Sequence, residues 1–184
     1  MPKLPEILEV RQLSSRGMFR FEEFDLRFSN GVERTYQRIA PGARKAVMAV
    51  PVNERDEVLL IREYCGGVHE YLLTLPKGAV EPGEDPRDGM NRELKEEIGF
   101  GARHIEPLRD FTLAPGHMGF EITAMLATDL YPEALEGDEP EPLEVVRWPL
   151  AKLPELFELP DLSEARVIAA LVLARQVLNN RTSG

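Results

Sequence analysis

Residues 78–100, GAVEPGEDPRDGMNRELKEEIGF, contain a helix whose two ends are both marked in the sequence. Asp85 is a residue type favoured at the N-cap, and Pro86 suits the first helical position because an N–H there would have no partner. Gly99 directly follows the last residue that fits the helical pattern, which is where a terminating glycine usually stands. These residues predict a helix from about Pro86 to Ile98.

Carboxylates cluster on one side of this predicted helix. Residues three and four positions apart share a helix face, so Glu93, Glu96 and Glu97 project together. The like charges of Glu93 and Glu97 destabilise an isolated helix by roughly 0.2–0.5 kcal/mol, and a divalent cation would remove that penalty. Oxygen ligands alone suit hard ions such as Mg²⁺ or Mn²⁺. The alternative is a solvated acidic face, which is what most charge runs on helices are.

Outside this segment, apolar runs alternate with turn residues. The Asn-Gly pair at 30–31 stands between two extended runs and is a strong hairpin signal. Pro76-Lys77-Gly78 is predicted to end a strand. Strands are predicted at Met18–Phe28, Val32–Ile39, Lys45–Val52, Glu57–Tyr64, Tyr71–Leu75, Arg109–Leu113, Phe120–Ala127 and Glu144–Trp148.

The break at Pro41-Gly42 predicts two domains. A small N-terminal β subdomain would cover residues 1–42, and the main domain would cover residues 43–184. An acidic, proline-rich segment runs from Tyr131 to Pro142 and is predicted to be a loop.

A last helix is predicted after a cap at Ser163. Its apolar residues Ile168, Leu171, Val172 and Leu178 share one face, which indicates a packing helix.

The composition limits the classes of function. A chain of 184 residues with 43% hydrophobic content suffices for a globular core, and the net charge of −10 has the wrong sign for binding nucleic acid through its phosphates. Cys65 is the single cysteine, so it has no partner for an internal disulfide. There is no targeting pattern and no apolar run of the roughly 20 residues that span a bilayer. We therefore expect a soluble cytoplasmic protein without a nucleic-acid or membrane partner.

The spacing of residues 78–100 resembles the Nudix box: Gly78, five residues, Glu84, seven residues, and then RELKEEIGF over 92–100. Phe100 is a mild departure, because the family more often has an aliphatic residue there. The resemblance implies an α/β fold, an α/β/α sandwich around a mixed β-sheet. It also implies a metal-dependent hydrolase in which water attacks one phosphorus of a pyrophosphate.

The resemblance further implies roles for the residues of the box. Glu96 and Glu97 correspond to metal ligands, and Glu93 corresponds to a ligand or to a residue that orients one. Glu84 corresponds to a carboxylate that often assists, and Gly78 to a residue whose backbone contacts the metal site. The implied cofactor is Mg²⁺ or Mn²⁺.

Two further roles concern catalysis. Arg92 corresponds to an arginine that holds a catalytic glutamate by a salt bridge, and we favour this role over a phosphate clamp. In related enzymes a loop in the position of residues 135–141 carries a mobile glutamate that acts as the base. Glu139 and Glu141 are the candidates for it, and Glu93 is the alternative if the loop is only a solvated acidic segment.

Beyond the box, the sequence resembles the ADP-ribose pyrophosphatase-like subgroup, which has an N-terminal β flap and a proline about sixteen residues after the final glycine. That proline is Pro115 in this chain, although an ordinary Pro-Gly turn is the alternative. Residues 27–41, 130–143 and 146–156 extend the resemblance to bacterial members that hydrolyse ADP-ribose, NADH and diadenosine polyphosphates with release of AMP.

Candidate substrate contacts follow from residue type. Arg38 and Arg62 would suit phosphate or ribose, with structural ion pairs as the alternative. Tyr36, Tyr64 and Phe120 would suit adenine stacking, although aromatic residues in strands more often belong to the core.

The resemblance also implies a homodimer in which residues 1–42 of one subunit help to close the partner's site. Two other classes of function stay open. One is a nucleotide-binding Nudix-like module without catalysis, and the other is an interaction protein that no metal stabilises.

Overall fold

A computed structural model describes residues 3–17, 19–42 and 44–182 of the chain. Met18 and Ala43, at which a strand and the second domain are predicted to begin, lie outside the described residues, as do the two chain ends. The chain divides into two compact units, Met1–Ala43 with Thr112–Glu121, and Arg44–Phe111 with Ile122–Gly184.

The first unit contains an antiparallel sheet in the order β1-β2-β3, with β1 at Glu6–Arg16, β2 at Phe19–Arg27 and β3 at Glu33–Ile39. The predicted hairpin at residues 30–31 is confirmed. Gly31 has a φ of 81°, and the Asn30 side chain accepts a hydrogen bond of 3.1 Å from the Val32 N–H. The unit also takes in residues 112–121, because the Ile39 N–H donates to the His117 carbonyl at 2.9 Å.

The rest of the chain forms the mixed α/β part of the fold, whose elements follow in chain order. They are β4 (Ala46–Pro51), β5 (Glu57–Cys65), β6 (Glu70–Thr74), β7 (Lys77–Ala79), α1 (Pro86–Glu97), β8 (Phe100–Thr112), β9 (Glu121–Pro132), β10 (Glu144–Pro149), a short 3-10 helix (Leu150–Lys152), α2 (Leu153–Leu156) and α3 (Ala165–Thr182). Residues 133–143, between β9 and β10, form what we call the acidic loop.

These strands form two sheets within the described residues. One has the order β7-β4-β9-β8 and is mixed, because β4 runs antiparallel to β7 and parallel to β9. The other is antiparallel and has the order β10-β5-β6.

Strand β4 has helices on both of its faces. Val47 and Ala49 belong to one buried cluster with Met90 and Leu94 of α1. Successive side chains of a strand point to opposite faces, so the buried Met48 lies on the other face, and α3 also packs against β4. A mixed sheet between helices confirms the predicted fold class, and it places α1 by its apolar side against the core.

Several element predictions differ from the structure. β8 begins at Phe100 instead of Arg109, and it lies at the end of its sheet, where Pro107 without an N–H is tolerated. β6 ends at Thr74, as predicted, but residues 77–79 then form a further strand, β7, which pairs with β4.

Helix α3 also differs in its start and in its packing face. It begins at Ala165, and the Glu164 carbonyl accepts its first backbone hydrogen bonds, so Ser163 does not directly precede it. The buried face includes Val167 and Leu171, whereas Val172 is 49% exposed.

Candidate active site

Helix α1 directs its charged side into a cavity. The Asp85 carboxylate accepts the Arg87 N–H at 2.8 Å, which confirms the predicted N-cap, and Gly99 follows the helix with a φ of 73°. Met90 and Leu94 are fully buried on one side of the helix. The other side opens to a cavity of about 700 Å³. This cavity is lined by Arg44, residues 77–79, Glu81, Arg92, Glu93, Glu96, Glu97 and residues 136–143.

Arg92 connects three of the candidate carboxylates. Its guanidinium donates to Glu93 at 2.8 Å and to Glu96 at 2.9 Å, and its Nε lies 3.3 Å from Glu84. It also donates to the Ala79 carbonyl at 3.0 Å, which attaches the helix to β7. The hydrogen bond from Arg92 lowers the pKa of Glu84, whose Oε2 also accepts the Glu81 N–H at 2.8 Å. Arg92 therefore holds the carboxylates in fixed positions.

Glu97 is the most strongly perturbed carboxylate among these groups. Burial raises its pKa to about 8, partly opposed by the nearby charge of Lys77 and by the Lys77 backbone N–H, which donates to Glu97 at 3.0 Å. The Lys77 ammonium itself pairs with Glu63 of β5. An additional cation within contact distance would favour the ionised form of this carboxyl group.

Glu93 lies directly beside Gly78. A Cβ built on Gly78 would collide with all three atoms of the Glu93 carboxylate group, and Gly78 has no positive φ that would itself demand glycine. Burial raises the pKa of Glu93, although Arg92 opposes this shift. Position 78 therefore requires glycine because the Glu93 carboxylate occupies the space of a side chain, and not because of the backbone conformation.

Residues 136–143 of the acidic loop form another part of the cavity wall. The Leu135 N–H donates to the Lys95 carbonyl at 3.1 Å, which holds the start of the loop to the end of α1. Glu139 and Glu141 both line the cavity, so the structure brings the two candidate bases near the carboxylates of α1. Burial raises the pKa of Glu139, with further contributions from the charges of Glu63 and Asp138. Glu141 accepts a hydrogen bond from the Tyr71 hydroxyl.

The predicted substrate contacts occupy different places. Arg38 belongs to the first unit, where it pairs with Glu22 at 2.9 Å and lies over the ring of Phe24. Pro115 belongs to the same unit, in the turn closed by the hydrogen bond from the His117 N–H to the Ala114 carbonyl. Arg62 pairs with Glu144 at 3.0 Å and with Asp161. These ion pairs are the structural alternative for Arg38 and Arg62, and a substrate role for either arginine stays a prediction.

Several residues of the site were absent from the sequence-based candidates. Lys77 binds Glu97 through its backbone and Glu63 through its side chain, and Tyr71 binds Glu141. Strand pairing and the path of the acidic loop bring these groups together, so helix periodicity carries no sign of them. Only the position of Lys77 next to Gly78 pointed toward it.

The donor set fits a hard divalent cation in its chemistry. Glu84, Glu93, Glu96 and Glu97 offer only oxygen atoms, and acidic side chains outnumber basic ones along the cavity. Among the described residues, no three acidic, histidine or cysteine side chains are arranged to hold an ion directly. Arg92 instead lies among Glu84, Glu93 and Glu96, so a bound ion would require these carboxylates to share their oxygens with it.

Comparison with known proteins identifies the family of the chain. A model of the NUDIX domain matches residues 42–171, and a model of the NudE-type Nudix hydrolase N-terminal domain matches residues 5–38. The chain belongs to the Nudix hydrolase family, and it is an enzyme of that family.

The chain is similar to individual relatives over most of its length. It is 48% identical over 177 residues to ADP compounds hydrolase NudE of Escherichia coli (strain K12), covering 96% of this chain and 95% of that protein. It is 27% identical over 128 residues to ADP-ribose pyrophosphatase of Bacillus subtilis (strain 168), covering 68% and 69%. A crystal structure of ADP compounds hydrolase superposes with a TM-score of 0.92 at 46% identity, covering 98% and 97% of the two chains. The resemblance stated from the sequence is thereby confirmed.

Of the helices in the described part of the chain, none is long and apolar enough to cross a membrane.

Proposed function

We propose that this enzyme hydrolyses the pyrophosphate of ADP-linked compounds, namely ADP-ribose, NADH and diadenosine polyphosphates, with release of AMP. The observation that carries the proposal is the cavity of about 700 Å³ in which Arg92 and the Lys77 N–H hold the carboxylates of the Nudix box. The relative that is 48% identical is named an ADP compounds hydrolase, and this supports an ADP group in the substrate.

The reaction breaks one P–O bond of the pyrophosphate bridge. Water supplies the new P–O bond at the attacked phosphorus, its proton passes to a base, and the bridging oxygen leaves with the other phosphate. A divalent cation, Mg²⁺ or Mn²⁺, supplies charge neutralisation on the phosphates when it is bound. Glu93, Glu96 and Glu97 would hold it, with help from Glu84 and the backbone of Gly78. Arg92 keeps these carboxylates in place, so we assign it a positioning role.

We assign the base to Glu139 in preference to Glu141. The pKa of Glu139 is raised, which moves it toward the working pH that favours a general base, whereas Glu141 is engaged by Tyr71. Glu139→Gln is expected to lower kcat by roughly 10²- to 10⁴-fold, the usual contribution of general base catalysis. Glu141→Gln is the matched control from the same loop, and it is expected to lower kcat much less. The measurement is kcat for AMP release at saturating substrate.

The base assignment is wrong if both variants keep the wild-type kcat. Glu93 would then be the better choice, because it is a partly buried carboxylate of α1 whose pKa burial raises and because it lines the same cavity.

We further propose a cytoplasmic homodimer. The sheet of the first unit supports it, because several apolar side chains of β1 and β2 are exposed, including Ile7 at 56%, Leu13 at 52% and Phe19 at 47%. Large apolar side chains exposed on one small sheet favour an interaction surface there. A sedimentation experiment that gives the mass of a single subunit would contradict the dimer.

The experiment that tests the function measures AMP release from ADP-ribose, NADH and diadenosine triphosphate with Mg²⁺ or Mn²⁺ and with a chelator. Metal-dependent release from at least one compound is the expected result. Tight binding of these compounds without release would instead support the nucleotide-binding module without catalysis. A protein whose melting temperature is unchanged by the metal and by all three compounds would support the interaction protein.

A further inference from the structure

A second cavity adjoins the site on the far side of the acidic loop. It has a volume of about 300 Å³, and its lining includes Tyr64, Tyr71 and residues 139–144. Residues 139–143 line both cavities, so the same short segment of loop separates them. A substrate with its phosphates in the first cavity would have to extend across this segment to place another group in the second.

Two tyrosines from neighbouring strands form one wall of this second cavity. Tyr64 of β5 and Tyr71 of β6 are paired across the hairpin, and their ring centroids lie 5.6 Å apart at an angle of 61°. Both are exposed, Tyr64 by 47% and Tyr71 by 52%. Aromatic residues that belong to the core are buried. This exposure therefore argues against the core role that was the alternative for Tyr64 in the sequence analysis.

The rings are held in position by polar contacts at their hydroxyl groups. The Tyr64 hydroxyl lies 2.8 Å from Nδ1 of His69, and the Tyr71 hydroxyl donates to Glu141. His69 has a φ of 59°, a conformation that non-glycine residues rarely adopt and that often marks functional sites. The hydroxyl groups are thus occupied, and the Tyr64 ring also meets the His69 ring edge-on with centroids 5.8 Å apart. About half of each tyrosine stays exposed, and this exposed part is where a ligand can make contact.

We propose that the Tyr64–Tyr71 cavity binds an aromatic base of the substrate, so that the two rings contribute to substrate affinity. This inference rests on the proposed function and specifies where one nucleoside half of an ADP-linked compound lies. Stacking on an aromatic side chain stabilises a bound base whatever hydrogen-bond donors and acceptors that base carries, because every base has a π-face. The volume of about 300 Å³ is sufficient for one such ring, and the phosphates would lie in the first cavity.

The test compares leucine and phenylalanine at positions 64 and 71. Tyr64→Leu and Tyr71→Leu remove the rings, and each is expected to raise KM about tenfold. We expect little change in kcat, because the stacking contact is the same in the bound substrate and in the transition state. Tyr64→Phe and Tyr71→Phe keep the rings and are expected to stay within about twofold of the wild-type KM. The substrates are ADP-ribose, NADH and diadenosine triphosphate, and a melting curve checks that each variant is folded.

The pattern of KM across the three substrates identifies which base occupies the cavity. A rise in KM for all three substrates assigns the cavity to adenine, and a rise confined to NADH and diadenosine triphosphate assigns it to the second base. An unchanged KM for every substrate in the leucine variants overturns the inference, and so does an equal loss in the phenylalanine variants. If the wild type releases no AMP, the proposed function fails, and titration of AMP into the same four variants still tests the cavity.

Discussion

Replacing Glu97 with glutamine is expected to abolish AMP release and, at the same time, to stabilise the metal-free protein at alkaline pH. Loss of one directly placed electrostatic group at an active site lowers kcat by about 10²- to 10³-fold, and a metal-holding carboxylate should lie at or beyond the upper end. Glu97 is placed for such a role, because it lies at the end of α1 beside the Lys77 N–H and lines the cavity.

The expected gain in stability follows from the pKa of Glu97. Burial raises this pKa from 4.5 to about 8 in the folded chain, so between these values the folded state binds a proton that the unfolded state has lost. Stability therefore decreases as pH rises through this window and changes no further above it. Glutamine has no proton to lose, so the variant avoids this decrease, and the difference at alkaline pH should reach a few kcal/mol.

The measurement is urea unfolding of both proteins in the presence of a chelator at about pH 5 and about pH 9. Glu84→Gln is the matched control, because the hydrogen bond from Arg92 lowers the pKa of Glu84 instead of raising it. The stabilisation by Glu84 exists above its unfolded pKa and disappears as pH falls through the folded value, so this control should destabilise the protein at alkaline pH. Equal pH dependence for wild type and Glu97→Gln would contradict the prediction.

Divalent cations should reverse the difference. A cation bound by the ionised Glu97 stabilises only the folded wild type, so Mg²⁺ or Mn²⁺ should raise its melting temperature at alkaline pH and leave Glu97→Gln almost unchanged. The buried Glu97 would then lower the stability of the metal-free protein at alkaline pH and provide a ligand for the metal.

The predictions that succeeded concern features determined by nearby residues. The limits of α1 were predictable because Asp85, Pro86 and Gly99 act on the backbone next to them, and the grouping of Glu93 with Glu97 follows from the helical repeat. The β2–β3 hairpin was predictable for the same reason, because its turn residues are local.

The elements that were missed depend on partners far along the chain. Almost every residue of β1 is exposed, so no alternation of buried and exposed positions marks it, and the strand exists through its pairing with β2. β7 has three residues and is defined by its pairing with β4. The contact of Lys77 with Glu97 depends on that pairing, which explains why the sequence predicted the carboxylates and not the group that binds them.

Replacing Gly78 with alanine is expected to lower activity by about 10- to 100-fold while the fold persists. The new Cβ would collide with the Glu93 carboxylate, and because Gly78 has no positive φ, alanine suits the backbone itself. The carboxylate is the end of a flexible side chain, so it moves aside at a cost of about 0.5–1.5 kcal/mol for an unfavourable rotamer. It then leaves Arg92 and the position from which it supports the metal, and the loss of such support lowers metal affinity or activity by about 10- to 100-fold.

The decisive measurement is the metal concentration needed for half-maximal AMP release, which should increase in Gly78→Ala. Gly67→Ala is the matched control, since its Cβ would meet no described atom within 4 Å and its φ is not positive. A double-mutant cycle identifies the cause: in a Glu93→Ala background there is no carboxylate to displace, so Gly78→Ala should have little further effect on stability or on metal response. If Gly78→Ala remains within about twofold of Gly67→Ala, Glu93 tolerates displacement, and its assigned position beside the metal is wrong. If the two substitutions are additive in the cycle, the glycine acts on the site through some contact other than Glu93.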